Sequence, residues 1–120
     1  MMQDRVLSML GLAMKGNHAV SGEFQTVNAV RDGSAALVLV AEDASENTKK
    51  LFRDKCSFYE VKLYLYGTKE SLGKAMGKEI RSCAAVTSAG LAKSIINRIE
   101  SNGAPCETAK NLNGKQWNEG

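Results

Sequence analysis

Residues Ala35 to Ala41 read AALVLVA, and Glu42-Asp43-Ala44-Ser45-Glu46 follows directly. The first stretch is continuously apolar and rich in valine and leucine, the pattern of a strand covered on both faces. The second holds two good helix caps, Asp43 and Ser45, and acidic side chains that suit a helix N-terminus. Together they predict a buried strand running into a helix, with Thr48, Leu51, Phe52 and Cys56 on its inward stripe. A strand of this kind requires helices above and below the sheet, so these residues set the fold class.

The same alternation runs outward in both directions. Val6, Leu7, Leu10 and Met14 recur at helical spacing, giving a first helix over Met2 to Met14 that Lys15-Gly16-Asn17 closes. Ala19-Val20 reads as a short edge strand. Ser21-Gly22 opens a second helix, predicted to turn Phe24, Val27 and Val30 inward and to stop at Asp32-Gly33. Beyond the third helix, Val61 to Tyr66 alternates as a strand. Gly67-Thr68 leads into a short helix, Lys69 to Met76, closed by Gly77. The polar loop from Lys78 to Ser82 then precedes an apolar strand, Cys83 to Thr87. Ser88 caps a last helix with Leu91, Ile95 and Ile99 inside. The order predicts an α/β chain: a three-layer α-β-α sandwich with right-handed crossovers around a central mixed sheet of about four strands.

Residues 1–100 are therefore expected to form one domain. Ser101 to Gly120 holds the sole proline, four asparagines and few large apolar residues besides Leu112 and Trp117. That composition is expected of a mobile C-terminal tail.

Composition narrows the function classes. No apolar run approaches the ~18 residues of a membrane helix, and the start of the chain lacks the order of a signal peptide. Three cysteines, Cys56, Cys83 and Cys106, stand far apart without a C-x-x-C pair, and His18 is the one histidine. A closed zinc site lacks ligands. The odd cysteine count fits reduced thiols and a cytoplasmic location. Sixteen basic and thirteen acidic residues leave a net charge of +3, which permits nucleic-acid binding without demanding it.

Enzyme signatures are missing. No G-x-G-x-x-G follows the first strand, and no G-x-x-x-x-G-K-[ST] occurs. Glu42-Asp43 at a strand end has a catalytic reading, but capping of the next helix explains it more simply. His18 has no acid or nucleophile near it in sequence. No catalytic residue, metal or cofactor is expected. The start of the second helix is different, because its free backbone N–H groups attract phosphate oxygens. Gly22 allows another backbone to come close. Gln25 offers both a donor and an acceptor to a base edge. Phe24 has two readings, a stacking surface or a core residue.

Several motifs carry a resemblance. They are Leu10-Gly11-Leu12-Ala13, Val20-Ser21-Gly22-Glu23, the apolar strand with Ala41-Glu42-Asp43-Ala44-Ser45-Glu46-Asn47-Thr48, Asp54-Lys55-Cys56, and Leu72-Gly73-Lys74-Ala75-Met76-Gly77-Lys78. From Leu7 to Ile99 the chain resembles the superfamily of ribosomal proteins that bind kink-turn RNA, most closely its bacterial YlxQ-like branch. The resemblance implies an α-β-α sandwich that binds, without catalysis, RNA bent at a bulge beside tandem G·A pairs, as in ribosomal RNA. It implies that the N-terminus of the second helix faces the guanines and that a later loop covers the bulged nucleotides.

Carried over by position, Gly22 opens the helix, with Glu23 beside it, and Gln25 hydrogen-bonds a guanine. Lys74 has two readings, a backbone contact or a solvated helix residue. Ile80 has two as well, bulge cover or core, and Arg81 falls in the same covering loop. Lys15, Arg31, Lys74 and Arg81 would attract phosphate. Two positions depart from the pattern: Phe24 replaces Asn or Lys, and Asn28 replaces the usual Lys. Those losses weaken the expected contact and motivate an alternative, a protein-interaction module of the same fold that has lost RNA binding. The expected partner is structured RNA, bound by a monomer away from membranes.

Overall fold

Leu37, Val38, Leu39 and Val40 are all completely buried. They form β2, the strand about which a computed structural model arranges residues 4–107, the residues the structure describes. Among these residues the order is α1 (Arg5–Lys15), β1 (Ala19–Ser21), α2 (Glu23–Arg31), β2 (Leu37–Val40), α3 (Glu46–Tyr59), β3 (Lys62–Leu65), α4 (Lys69–Ala75), β4 (Cys83–Val86) and α5 (Ala89–Ser101). The sheet order is β1-β4-β2-β3. β2 pairs with β3 in parallel and with β4 antiparallel, and β1 pairs antiparallel with β4. The expected mixed four-stranded sheet is therefore present. α2 and α3 pack together on one face, while α1 packs against α4 and α5 on the other.

The strands are shorter than the apolar pattern suggested. Pairing nevertheless continues past their ends: Ala36 N–H donates to Val86 O at 2.8 Å, and Ala41 N–H to Ser82 O at 2.8 Å. β3 lies at the sheet edge yet is covered on both faces. Leu63 and Tyr64 are both fully buried, and the Tyr64 hydroxyl donates to Glu100 on α5.

α2 differs from expectation at one residue that matters. Its inward stripe is Thr26, Ala29 and Val30. Phe24, expected to point inward with Val27 and Val30, is 79% exposed. The reason is rotation. A helix turns ~100° per residue, so six residues carry Phe24 about 120° away from Val30. Phe24 also lies in the first turn, at the helix end.

Side chains cap four of the helices. Asp4, Ser45, Thr68 and Ser88 accept from N–H groups of the first turns of α1, α3, α4 and α5. Asp43, the other cap candidate beside Ser45, instead accepts from Lys69 N–H at 2.8 Å and so serves the start of α4.

The expected tail began at Ser101. Ser101 ends α5, and the following residues turn back onto the body. Cys106 is buried, Glu107 N–H donates to Leu63 O at 2.7 Å, and the Glu107 carboxylate pairs with Arg53 at 3.1 Å. This segment covers part of the open edge of β3, which limits edge pairing with other chains. Residues 108–120, with Leu112 and Trp117, lie outside the described residues.

All three cysteines are buried thiols outside any disulfide. Burial pushes the Cys83 thiol up to about 11 and the Cys56 thiol up to about 12, from an ordinary 9.0. Above pH 9 the unfolded chain therefore releases thiol protons that the folded chain keeps. Stability is fully present below pH 9 and declines as pH rises toward 11. Urea unfolding at pH 8 and pH 10.5 should differ by on the order of 1–3 kcal/mol, with the alkaline sample weaker. Equal midpoints at the two pH values would contradict this account.

Candidate nucleic-acid interface

The start of α2 is built from one glycine. β1 ends at Ser21, and Gly22 N–H donates to Cys83 O at 3.0 Å, fixing the turn against β4. Gly22 has φ 89° and ψ 157°, a conformation nearly confined to glycine. A Cβ at this position would meet nothing within 4 Å, so backbone strain, not crowding, requires the glycine. Gly22 O then accepts from Thr26 N–H at 3.0 Å, the first helical bond. No side chain caps this helix. The N–H groups of Glu23, Phe24 and Gln25 precede the first possible helical acceptor and point out of the helix end.

Glu23 is tied down. Its carboxylate accepts from the Thr48 hydroxyl at 2.8 Å, which in turn accepts from Ser45 Oγ at 3.0 Å. The negative charge thus lies between the starts of α2 and α3, where both helix dipoles favour it. Glu23 thus braces the start of α2 against that of α3.

Opposite α2 stands the loop between α4 and β4. Ile80 is 61% exposed, so it is not a core residue. The Arg81 guanidinium donates to Ser21 Oγ at 3.2 Å and to Ile80 O at 2.8 Å, and Arg81 N–H donates to Lys69 O at 3.1 Å. An open groove of about 390 Å³ separates the two walls. Gly22, Phe24 and Gln25 line one side of it, and Ile80 and Arg81 the other. Two exposed apolar side chains, one amide, one guanidinium and free N–H groups therefore share a concave surface. Such a surface can stack a planar base, hydrogen-bond its edge and attract a phosphate.

Gly73 positions the loop, a role the sequence reading missed. A Cβ there would fall 1.9 Å from Glu79 O, and Lys78 N–H donates to Gly73 O at 2.7 Å. In the Leu72-Gly73-Lys74 motif the sequence draws the functional reading to Lys74. The available signal was a glycine inside a helix, where it costs stability unless something packs against it.

Six of the ten expected site residues meet at this groove: Gly22, Glu23, Phe24, Gln25, Ile80 and Arg81. Asn28 and Arg31 are exposed farther along α2, at steps of three from Gln25. Lys15 and Lys74 instead line a separate groove between α1 and α4. Among the described residues no group of three His, Cys, Asp or Glu side chains is arranged to hold a metal ion. No described helix is long and apolar enough to cross a membrane.

The profile of the ribosomal protein L7Ae/L30e/S12e/Gadd45 family matches residues 4–96. The chain is 40% identical to the RNA-binding protein YlxQ of Bacillus subtilis, over 77% of this chain and 92% of that one. It is 35% identical to the RNA-binding protein YlxQ of Enterococcus faecium, over 82% and 94%. The structure of a protein with unknown function from Bacillus halodurans C superimposes with a TM-score of 0.79 at 36% identity, covering 82% of this chain and 99% of that one.

Gly22→Ala tests the reading of the helix start. The added methyl has space, so the cost should come from φ alone, on the order of 1–3 kcal/mol. Chemical denaturation measures it. A loss well under 1 kcal/mol would mean that the turn relaxes and that glycine is not required there.

Proposed function

The chain belongs to the ribosomal protein L7Ae/L30e/S12e/Gadd45 family, and we propose that it binds structured RNA bent at a kink-turn through the groove at the start of α2. The observation that carries this reading is the uncapped start of α2, facing Ile80 and Arg81 across a groove with Gln25 at its edge. Two relatives described as RNA-binding proteins support the class of partner. The kink-turn comes from the resemblance at Gly22 and Gln25.

In this reading the Gln25 amide reads a guanine edge by giving and accepting hydrogen bonds. Free N–H groups at the helix start and the Arg81 guanidinium meet phosphate oxygens. Phe24 and Ile80 cover the unstacked nucleotides of the bulge, each shielding a base face from water. Asn28 and Arg31 extend the contact along α2. Binding stabilises a bent RNA conformer and involves no covalent step. The protein acts as a monomer in the cytoplasm, with ribosomal RNA as a natural source of such a target.

The exposed Phe24 and the uncharged Asn28 favour a second reading. A surface aromatic group beside few cations also suits a protein partner, and the fold would then serve protein interaction after losing RNA binding. Calorimetric titration with a kink-turn duplex separates the two readings. Absence of heat at micromolar protein selects the second.

If RNA is bound as proposed, Gln25→Ala should weaken kink-turn binding by ~1–3 kcal/mol and leave binding to plain duplex RNA nearly unchanged. Equal losses on both RNAs in a gel-shift titration would remove Gln25 from base reading. Salt dependence gives a second check. With a net charge of +3, the slope of log K against log salt should be shallow, consistent with about two or three phosphate contacts. A slope demanding six or more contacts would point to backbone binding in place of shape and base readout.

A further inference from the structure

α1 presents apolar residues beyond its core face. Val6, Leu10 and Ala13 are buried in the core. Leu7, Gly11 and Leu12 line a groove of about 590 Å³ shared with α4, interspersed with Asp4, Ser8 and Lys15. Leu12 is 61% exposed. The 11 residues of α1 give this groove a wall about 16 Å long, three helical turns.

The groove is preformed. A Cβ on Gly11 would come within 2.8 Å of Ala75 O, so the two helices touch backbone to backbone. At the α1 start, the Asp4 carboxylate already accepts from Leu7 N–H at 3.1 Å and from the Tyr66 hydroxyl at 2.7 Å. Lys15 and Lys74 also line the groove, and neither takes part in the ion pairs of the described residues. The acid is engaged and the two bases are not.

We propose that the groove between α1 and α4 is a docking site for an acidic amphipathic helix of another protein. A largely apolar trough walled by three turns of α1 and about two of α4 suits a helix that presents aliphatic side chains at i, i+3 or i+4, and i+7. Glu or Asp beside that stripe complements Lys15 and Lys74. The same features disfavour RNA. The two lysines are all that the groove offers to phosphate, and among the described residues no aromatic side chain lines it to stack a base. This inference stands independently of the RNA reading, because it uses a different groove.

The test titrates the full chain, labelled with nitrogen-15, with two synthetic helical peptides of about 16 residues, the length that spans three to four turns. Both carry the same leucine stripe; one is flanked by glutamates and the other by lysines. The glutamate peptide should shift the amides of Leu7, Gly11, Leu12, Ser71 and Lys74 saturably, with at least tenfold (~1.4 kcal/mol) tighter binding than the lysine peptide. Lys15→Glu with Lys74→Glu should reverse that order. Lys15→Gln with Lys74→Gln should abolish the preference, and it keeps the test valid if the charge reversal disturbs folding. Leu12→Asp should remove binding of the glutamate peptide while far-ultraviolet circular dichroism stays unchanged. Absence of saturable shifts at millimolar peptide, equal binding of the two peptides, or shifts centred elsewhere would overturn the proposal. So would a kink-turn RNA that shifts these same amides, because the groove would then belong to an RNA surface.

Discussion

Burial of β2 on both faces is the constraint from which the rest of the structure follows. Its backbone has no access to water, so each N–H and C=O needs a partner in the sheet. β3 supplies one edge and β4 the other. Its side chains need cover above and below, which α2 and α3 provide on one face and the α1, α4 and α5 layer on the other. The parallel pairing with β3 forces α3 to cross between the two strands. The antiparallel pairing with β4 brings Cys83 beside Val40, and with it the carbonyl that holds Gly22.

That arrangement gathers three helix starts at one end of the sheet. Hydrogen bonds from Gly22 to Cys83, Thr48 to Glu23, Lys69 to Asp43 and Arg81 to Lys69 link them. Their treatment differs. Ser45 caps α3 and Thr68 caps α4 with a reciprocal Ser71 bond, so those ends are satisfied internally. α2 begins at a glycine that has no side chain to cap with. Capping typically contributes ~1 kcal/mol, and its absence leaves donors free for an external acceptor. The fold therefore gives up some local stability at the end where its concave surface opens.

Charge is used sparingly. A net charge of +3 spread over the surface produces no strong field, and the groove at α2 contains Arg81 with Glu23 close by. A ligand held there would depend on shape, apolar cover and a few directed hydrogen bonds. The α1–α4 groove has the opposite balance, with two lysines outside the ion pairs of the described residues around a largely apolar floor. The two surfaces thus differ in chemistry as well as in position.

Sequence alone determined the layer architecture, because AALVLVA between two helical periodicities can be buried only in a covered sheet. It also located the α2 start, since Gly22 and the residues after it form a contiguous motif whose meaning is local. Three properties depended on tertiary structure. Whether Phe24 faces the core or water is set by where α2 begins relative to the sheet, which its spacing from Val27 and Val30 misjudged. Lys15 and Lys74 share a groove with each other, and not with Gln25, because helix packing decides which surfaces adjoin. The role of Gly73 rests on the approach of Glu79 O, a contact between a helix and the loop that folds back on it. Periodicity records which residues share one element's face. Only packing brings faces of different elements together, and the site is made of such meetings.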